Sequence, residues 1–170
     1  MSRMAKRSSA LFTFPNPVNE ISARLVAGGV MAQVGLFIVT RWPVILITLT
    51  YGFVARVLAG PTLSPLGQFV TRMVTPRLPF PETLVAGPPK RFAQGMGVAF
   101  SATAVIMWFS GAHGLAVAVL CMLLAAATME SVFGICLGCK VFGFLMRVGV
   151  IPDDVCAECA NLSLRRTATS

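Results

Sequence analysis

Residues 115–139 read LAVAVLCMLLAAATMESVFGICLGC. About twenty residues of this stretch are apolar apart from Thr128, Glu130 and Ser131, the length needed to cross the hydrocarbon of a bilayer, and it ends in a Cys-x-x-Cys step at Cys136 and Cys139. Read outward, the same signature recurs three more times, at Leu25–Thr40, Trp42–Ala59 and Phe92–Ser110. With 56% hydrophobic and 12% charged residues in 170, the chain has too little polar surface to cover a soluble domain of this size. A mean hydropathy of +0.80 agrees. The expectation is an all-α membrane protein of four transmembrane helices in two hairpins, closed by tight turns at Thr40–Pro43 and Gly111–Gly114. Ile21 and the long stem of Arg24 extend the short first span.

The net charge of +8 is distributed unevenly. Lys and Arg gather in the opening tail (3, 6, 7, 24), between the hairpins (72, 77, 90, 91) and after the last span (140, 147, 165, 166), whereas the two tight turns hold Arg41 alone. By the positive-inside rule both termini and the central loop face the cytoplasm. The basic start therefore reads as a solvated tail rather than a nucleic-acid arm. Pro15 and Pro17 follow it before any sustained apolar core, so no removable signal peptide is expected.

This divides the chain into a basic tail (1–20), a first hairpin (21–60), a Pro-rich loop (61–91), a second hairpin (92–139) and a cytoplasmic tail (140–170). Seven prolines in the loop exclude one long helix there. Leu66–Val74 still suits a short interfacial turn, anchored by Phe69 and Met73 with Arg72 reaching headgroups. Within the bilayer, close packing is expected from Gly28 and Gly29, from Gly95, Ala99, Ser101, Ala102 and Ala104, and from Ala125–Ala127.

Two ionisable residues fall inside the spans. Arg56 lies 14 residues past Trp42 and Glu130 lies 16 past Gly114, which at helical rise puts both roughly 21 to 24 Å from the outer turns. Opposite charges at equal depth predict an intramembrane ion pair between Arg56 and Glu130. His113, the single histidine, reads as a solvated turn residue, and Cys121 as a small buried hydrophobe.

The remaining thiols form the pattern C-x2-C-x16-C-x2-C, comprising Cys136, Cys139, Cys156 and Cys159. Two chemistries fit it. Four thiolates at this spacing make a tetrahedral zinc site, with Cys136 and Cys139 as one arm and Cys156 and Cys159 folding back as the other. Alternatively Cys136 and Cys139 form a redox dithiol, which needs its nucleophile at a helix N-terminus where the dipole favours thiolate. If the fourth span ran unbroken to Cys139 the dipole there would have the wrong sign, and only a break near Gly134 or Gly138 would reverse it. Glycine permits that break without requiring it.

From the central loop onward the chain resembles the bacterial membrane proteins grouped as domain of unknown function 4395. The resemblance rests on Ser64-Pro65-Leu66-Gly67, Thr75-Pro76-Arg77-Leu78, Pro88-Pro89-Lys90-Arg91-Phe92-Ala93-Gln94 and Phe133-Gly134-Ile135-Cys136-Leu137-Gly138-Cys139, and covers roughly 19–147. It implies a small integral protein of the bacterial cytoplasmic membrane with no assigned activity, whose genes often neighbour those of thioredoxin-like and sulfurtransferase proteins. Cys156 and Cys159 are not part of the pattern associated with the family. The resemblance therefore puts thiol or sulfur redox at Cys136 and Cys139 first, with thioredoxin-like or sulfurtransferase partners. A structural four-cysteine zinc site, and a small-solute carrier formed by a homo-oligomer, are the alternatives.

The orientation is testable. Reporter fusions at Ser8 and Thr169 should report the cytoplasm and one at His113 the opposite side. An exterior report at either terminus removes the thiols from a reducing compartment.

Overall fold

The computed structural model describes residues 14–79, 83–152 and 155; Cys156, Cys159 and the basic start of the tail lie outside them. The four spans are α1 (Glu20–Thr40), α2 (Pro43–Ala59), α4 (Gly87–Phe109) and α5 (His113–Phe133). α1, α4, α5 and the helical run Pro43–Arg77 that α2 opens are each long and apolar enough to cross a membrane, and the chain is a multi-pass, all-α membrane protein. Between the hairpins a short helix, α3 (Pro65–Phe69), runs into a wide turn over Val70–Val74. A last helix, α6 (Leu137–Arg147), follows α5 after a break.

The tight turns form where expected, each by its own chemistry. Arg41 ends α1 in the left-handed region, φ 57°, its N–H bonded to Phe37 O, and Pro43 opens α2 at a position where no N–H is needed. Gly111, at φ 87°, turns α4 into α5. His113 starts α5 exposed, its ring 4.3 Å from that of Trp108.

Neighbouring helices run in the order α1, α2, α4, α5 and back to α1, so the bundle is a closed ring of four. Its core is filled from all four members by Val34, Phe37, Leu46, Leu49, Phe53, Ala104, Leu120 and Leu123. Phe37 meets Trp108 edge to face at 4.9 Å. Cys121, expected inside, is exposed on the outer face of α5, where the helical register leaves it with Met122.

The small-residue face of α4 keeps Ser101 and Ala104 of the expected set, both fully buried, but takes Gly97 in place of Gly95 and Ala99. Gly95 has open space around it, whereas Gly97, Ser101 and Ala104 are buried, with the Phe53 ring lying directly against Gly97. Spacing by four places a stripe on a helix but does not choose among the stripes a small-rich helix offers. The other glycine contacts hold: a Cβ on Gly28 would meet Ser131 Oγ at 3.1 Å and one on Gly29 would meet Leu66 Cδ1 at 2.6 Å. Phe69 and Met73 are exposed, 53% and 47%, as an interfacial anchor requires.

Two boundaries differ from the sequence expectation. The third span begins at Gly87 rather than Phe92, because Pro88 and Pro89 stand in its first turn, where proline is tolerated. The fourth ends at Phe133, and residues 137–147 form a separate amphipathic helix. α6 packs on α4 through Gly138, where a Cβ would sit 2.5 Å from that of Ala93, and through Phe142, whose ring lies 5.7 Å from Phe92. Its opposite side exposes Val141 and Phe144.

An extended segment closes the polar end. Val18–Asn19 (β1) pairs antiparallel with Leu84–Val85 (β2). Asn19 Oδ1 accepts the N–H groups of Ile21 and Ser22 and so caps α1, while Asn16 Oδ1 accepts from Gly87 N–H at 2.9 Å.

Gly97→Ala should press a methyl into the Phe53 ring and cost about 1–3 kcal/mol of stability. Gly95→Ala, into open space, should cost nothing. Thermal unfolding of the two variants in detergent separates them.

Candidate functional site

α5 stops because Gly134 takes the left-handed conformation, φ 69° and ψ 15°, its N–H returning to Glu130 O at 3.1 Å. Arg24 of α1 reaches across and donates from Nε and Nη2 to Ser131 O and from Nη2 to Val132 O, the last at 2.9 Å. A cation thus closes the negative end of α5 and satisfies carbonyls that have no partner within the helix. The long Arg24 side chain, extended toward the end of the bundle, serves there as a cap.

Three residues later the chain starts helix again, and the starting residue is Cys136. It is the N-cap of α6, and its Sγ accepts the Cys139 N–H at 3.3 Å. This is the arrangement that reverses the dipole at the thiols, with the positive end of α6 directed at the Cys136 sulfur. The Cys139 thiol, hydrogen-bonded to that sulfur, holds Cys136 below the ordinary cysteine range; the charge of Lys90 and the Cys139 N–H add to the effect, against burial and the charge of Glu130. Giving its hydrogen to Cys136, together with burial, pushes Cys139 up. The two sulfurs are therefore unequal, Cys136 being held down and Cys139 pushed up from the ordinary cysteine range. Cys136 is 9% exposed, while Cys139 is half-buried.

The expected Arg56–Glu130 ion pair is corrected by the structure. Glu130 Oε1 is bonded to Lys90 Nζ at 2.7 Å, with both side chains largely buried. Arg56 shares that end of the bundle, but its Nε donates to Gln94 Oε1 at 2.8 Å and its Nη1 to Ser64 Oγ at 3.2 Å, and its guanidinium lies 4.6 Å from the Phe53 ring centre. The reason is the ring order. α2 neighbours α4 rather than α5, so Glu130 on α5 meets the first turn of α4 before it meets α2. The sequence expectation starts the third span at Phe92 and so counts Lys90 among the loop charges. The Gly87-Pro88-Pro89 run, a proline-opened first turn, was the signal that could have placed it.

The residues that carry the family resemblance converge on this end. Ser64 caps α3 by accepting Gly67 N–H as well as Arg56 Nη1. Thr75 shares a 2.9 Å hydrogen bond with Ser22. In the run Pro88–Gln94, the prolines open α4, Lys90 binds Glu130, Arg91 Nε donates to Val57 O at 3.0 Å, Phe92 and Ala93 seat α6, and Gln94 holds Arg56. Among the described residues no group of three or more metal-ligating side chains stands together. Cys136 and Cys139 are adjacent, and the second pair of the expected zinc set lies outside those residues.

A double-mutant cycle distinguishes the two pairings. Lys90→Met or Glu130→Gln alone should each cost about 3–5 kcal/mol and the double substitution less than their sum. The coupling of Arg56→Gln with Glu130→Gln should be the smaller of the two, and a larger value would restore the original pairing.

No curated protein and no solved structure matches the chain. A family model does, over residues 18–147, a range that holds the four spans, the ion pair and the thiol-bearing turn of α6. With most of its 170 residues inside that match, the chain belongs to the family described as Domain of unknown function (DUF4395).

Proposed function

We propose that this is a membrane-embedded dithiol protein of the bacterial cytoplasmic membrane that exchanges disulfides on its cytoplasmic face. The observation that carries the reading is the break at Gly134, which makes Cys136 the N-cap of α6. A thiolate at that place gains from the helix dipole, from the Cys139 N–H and from Lys90.

The chemistry balances as follows. The Cys136 thiolate attacks one sulfur of a partner disulfide; a mixed disulfide forms, and the other partner sulfur leaves as thiolate and takes a proton from water. Cys139 then loses its proton to water and attacks the Cys136 sulfur, forming the Cys136–Cys139 disulfide and releasing the second partner thiolate. Two electrons pass from this chain to the partner, and the reverse sequence recharges it. Attack on a protein disulfide requires α6 to lift from α4, a movement resisted by the Gly138–Ala93 and Phe142–Phe92 contacts. Partners of thioredoxin-like or sulfurtransferase type suit this exchange because they present a reactive sulfur at a surface.

The second reading is a structural zinc held by Cys136, Cys139, Cys156 and Cys159. It is favoured by the two sulfurs lying side by side at one helix start, as one arm of a tetrahedral site requires.

Alkylation by iodoacetamide as a function of pH tests the first reading. Because Cys136 is lowered from the ordinary cysteine range, its labelling should reach half-maximum at a lower pH than that of a free thiol. Lys90→Gln should move that midpoint up and Glu130→Gln should move it down. Cys136→Ser should abolish exchange with a thioredoxin-like disulfide, and Cys139→Ser should trap the mixed disulfide. One zinc per chain in anaerobically purified protein, lost with any of the four cysteines, would replace this reading with the second.

A further inference from the structure

α6 carries three faces, and packing within the bundle occupies one of them. Gly138 and Phe142 are buried, the first against Ala93 and the second beside the Phe92 ring of α4. Leu137, Val141, Phe144 and the C-cap Val148 follow one another at spacings of four, three and four, which makes one continuous row along the helix. All four are exposed, Leu137 by 42% and Phe144 by 62%. Lys140 and Arg147 share the third face, about 80° round the helix from the centre of that row, and both are exposed. No acidic residue occurs anywhere in 137–152.

A row of large apolar side chains facing water is unfavourable along its whole length, so the question is what lies within its reach. Val132 and Phe133, the last residues of the membrane-spanning α5, are exposed, and the row on α6 resumes that apolar surface at Leu137. The three residues between the helices extend at most about 11 Å, so the row starts no further than that from the end of a span. With 11 residues α6 is too short to cross the bilayer itself. A short helix with an apolar row bordered by cations lies in the interface, its row toward the acyl chains and its charges at the headgroups. A second copy of this chain suits the row less well. Pairing two α6 helices would crowd Lys140 and Arg147 of both copies together with no acidic residue on either helix to offset them.

We propose that α6 is an interfacial anchor that seats Leu137, Val141, Phe144 and Val148 in the bilayer boundary and binds anionic phospholipid headgroups through Lys140 and Arg147. The stems of both cations border the apolar row, and their charges meet headgroup phosphate oxygens. α6 is thereby held on two sides, by α4 and by lipid, which keeps the Cys136 and Cys139 step at the membrane surface. The inference rests on the faces of α6 and is independent of the chemistry assigned to the thiols.

The test uses the full-length protein in liposomes of equal parts phosphatidylglycerol and phosphatidylcholine, with the photo-crosslinker p-benzoylphenylalanine in place of Phe144 or of Gly143. Phe144 is exposed on the row and Gly143 has open space around it away from the row, so both positions accept the larger ring. After irradiation, mass spectrometry should recover phospholipid adducts about fivefold more from position 144 than from position 143. Phosphatidylglycerol should exceed phosphatidylcholine about twofold among them, and Lys140→Gln together with Arg147→Gln should bring the ratio to about one. Raising the salt should lower the same ratio with both cations in place, a measurement that needs no change on the basic face. Equal lipid adducts at the two positions would overturn the anchor. So would adducts at position 144 made mainly to protein, whether a second copy or the rest of this chain. A ratio of about one at low salt with Lys140 and Arg147 present would overturn the anionic-headgroup assignment.

Discussion

The 2.7 Å bond between Lys90 and Glu130 organises the polar end of this bundle. Both groups sit near the ends of apolar helices, where an unpaired charge is costly and a paired one is tolerated only with close contact. Their bond joins the first turn of α4 to the last turn of α5 and so fixes the relative depth of the second hairpin. Arg56, one residue ring further round, is then left to neutral partners, Gln94 and Ser64, which tie α2 to α4 and to the cap of α3. The central loop is thereby held against the spans by hydrogen bonds rather than by a continuous helix.

Two helix ends meet at Gly134, and the protein treats them oppositely. The closing end of α5 presents free carbonyls, and Arg24 covers them with a cation. The opening end of α6 presents free N–H groups, and the cap there is a sulfur rather than the usual hydroxyl or carboxylate oxygen. The field that steadies an oxygen at such a cap also favours a thiolate there. Lys90 acts in both settings: it neutralises Glu130 and its charge reaches Cys136. The two charges of the ion pair act on Cys136 in opposite senses, Glu130 raising it and Lys90 lowering it, behind the larger effect of the Cys139 hydrogen bond.

Several elements were readable from residue order. The four apolar runs, both tight turns and the short interfacial piece at Phe69 and Met73 follow from local composition, because transfer to hydrocarbon is close to a sum over residues and turn chemistry is a matter of a few neighbours. Arg56 and Glu130 stand at the same end of the bundle, held by Gln94 and Lys90 one turn apart on α4; that shared end was also readable, since helical rise converts residue count to distance. Their partners were not. Choosing between Arg56 and Lys90 for Glu130 needs the order in which helices neighbour one another, and no counting along the chain supplies it. The stripe on α4 is a similar case: Gly95 and Gly97 both offer small faces, and the Phe53 ring across the interface selects Gly97.

Residue order alone thus established a four-span membrane protein with a thiol pair at its last exit, because hydrophobicity and spacing are properties of the chain as written. It left open whether Cys136 ends one helix or begins another, since Gly134 permits either and the two differ in local energy by little. The packed structure settled it through contacts distant in sequence: Arg24 covers the carbonyls that a break exposes, and Ala93 and Phe92 offer α6 a surface that a continued straight helix would not reach. The sign of the helix-dipole field at the Cys136 sulfur follows from those distant contacts.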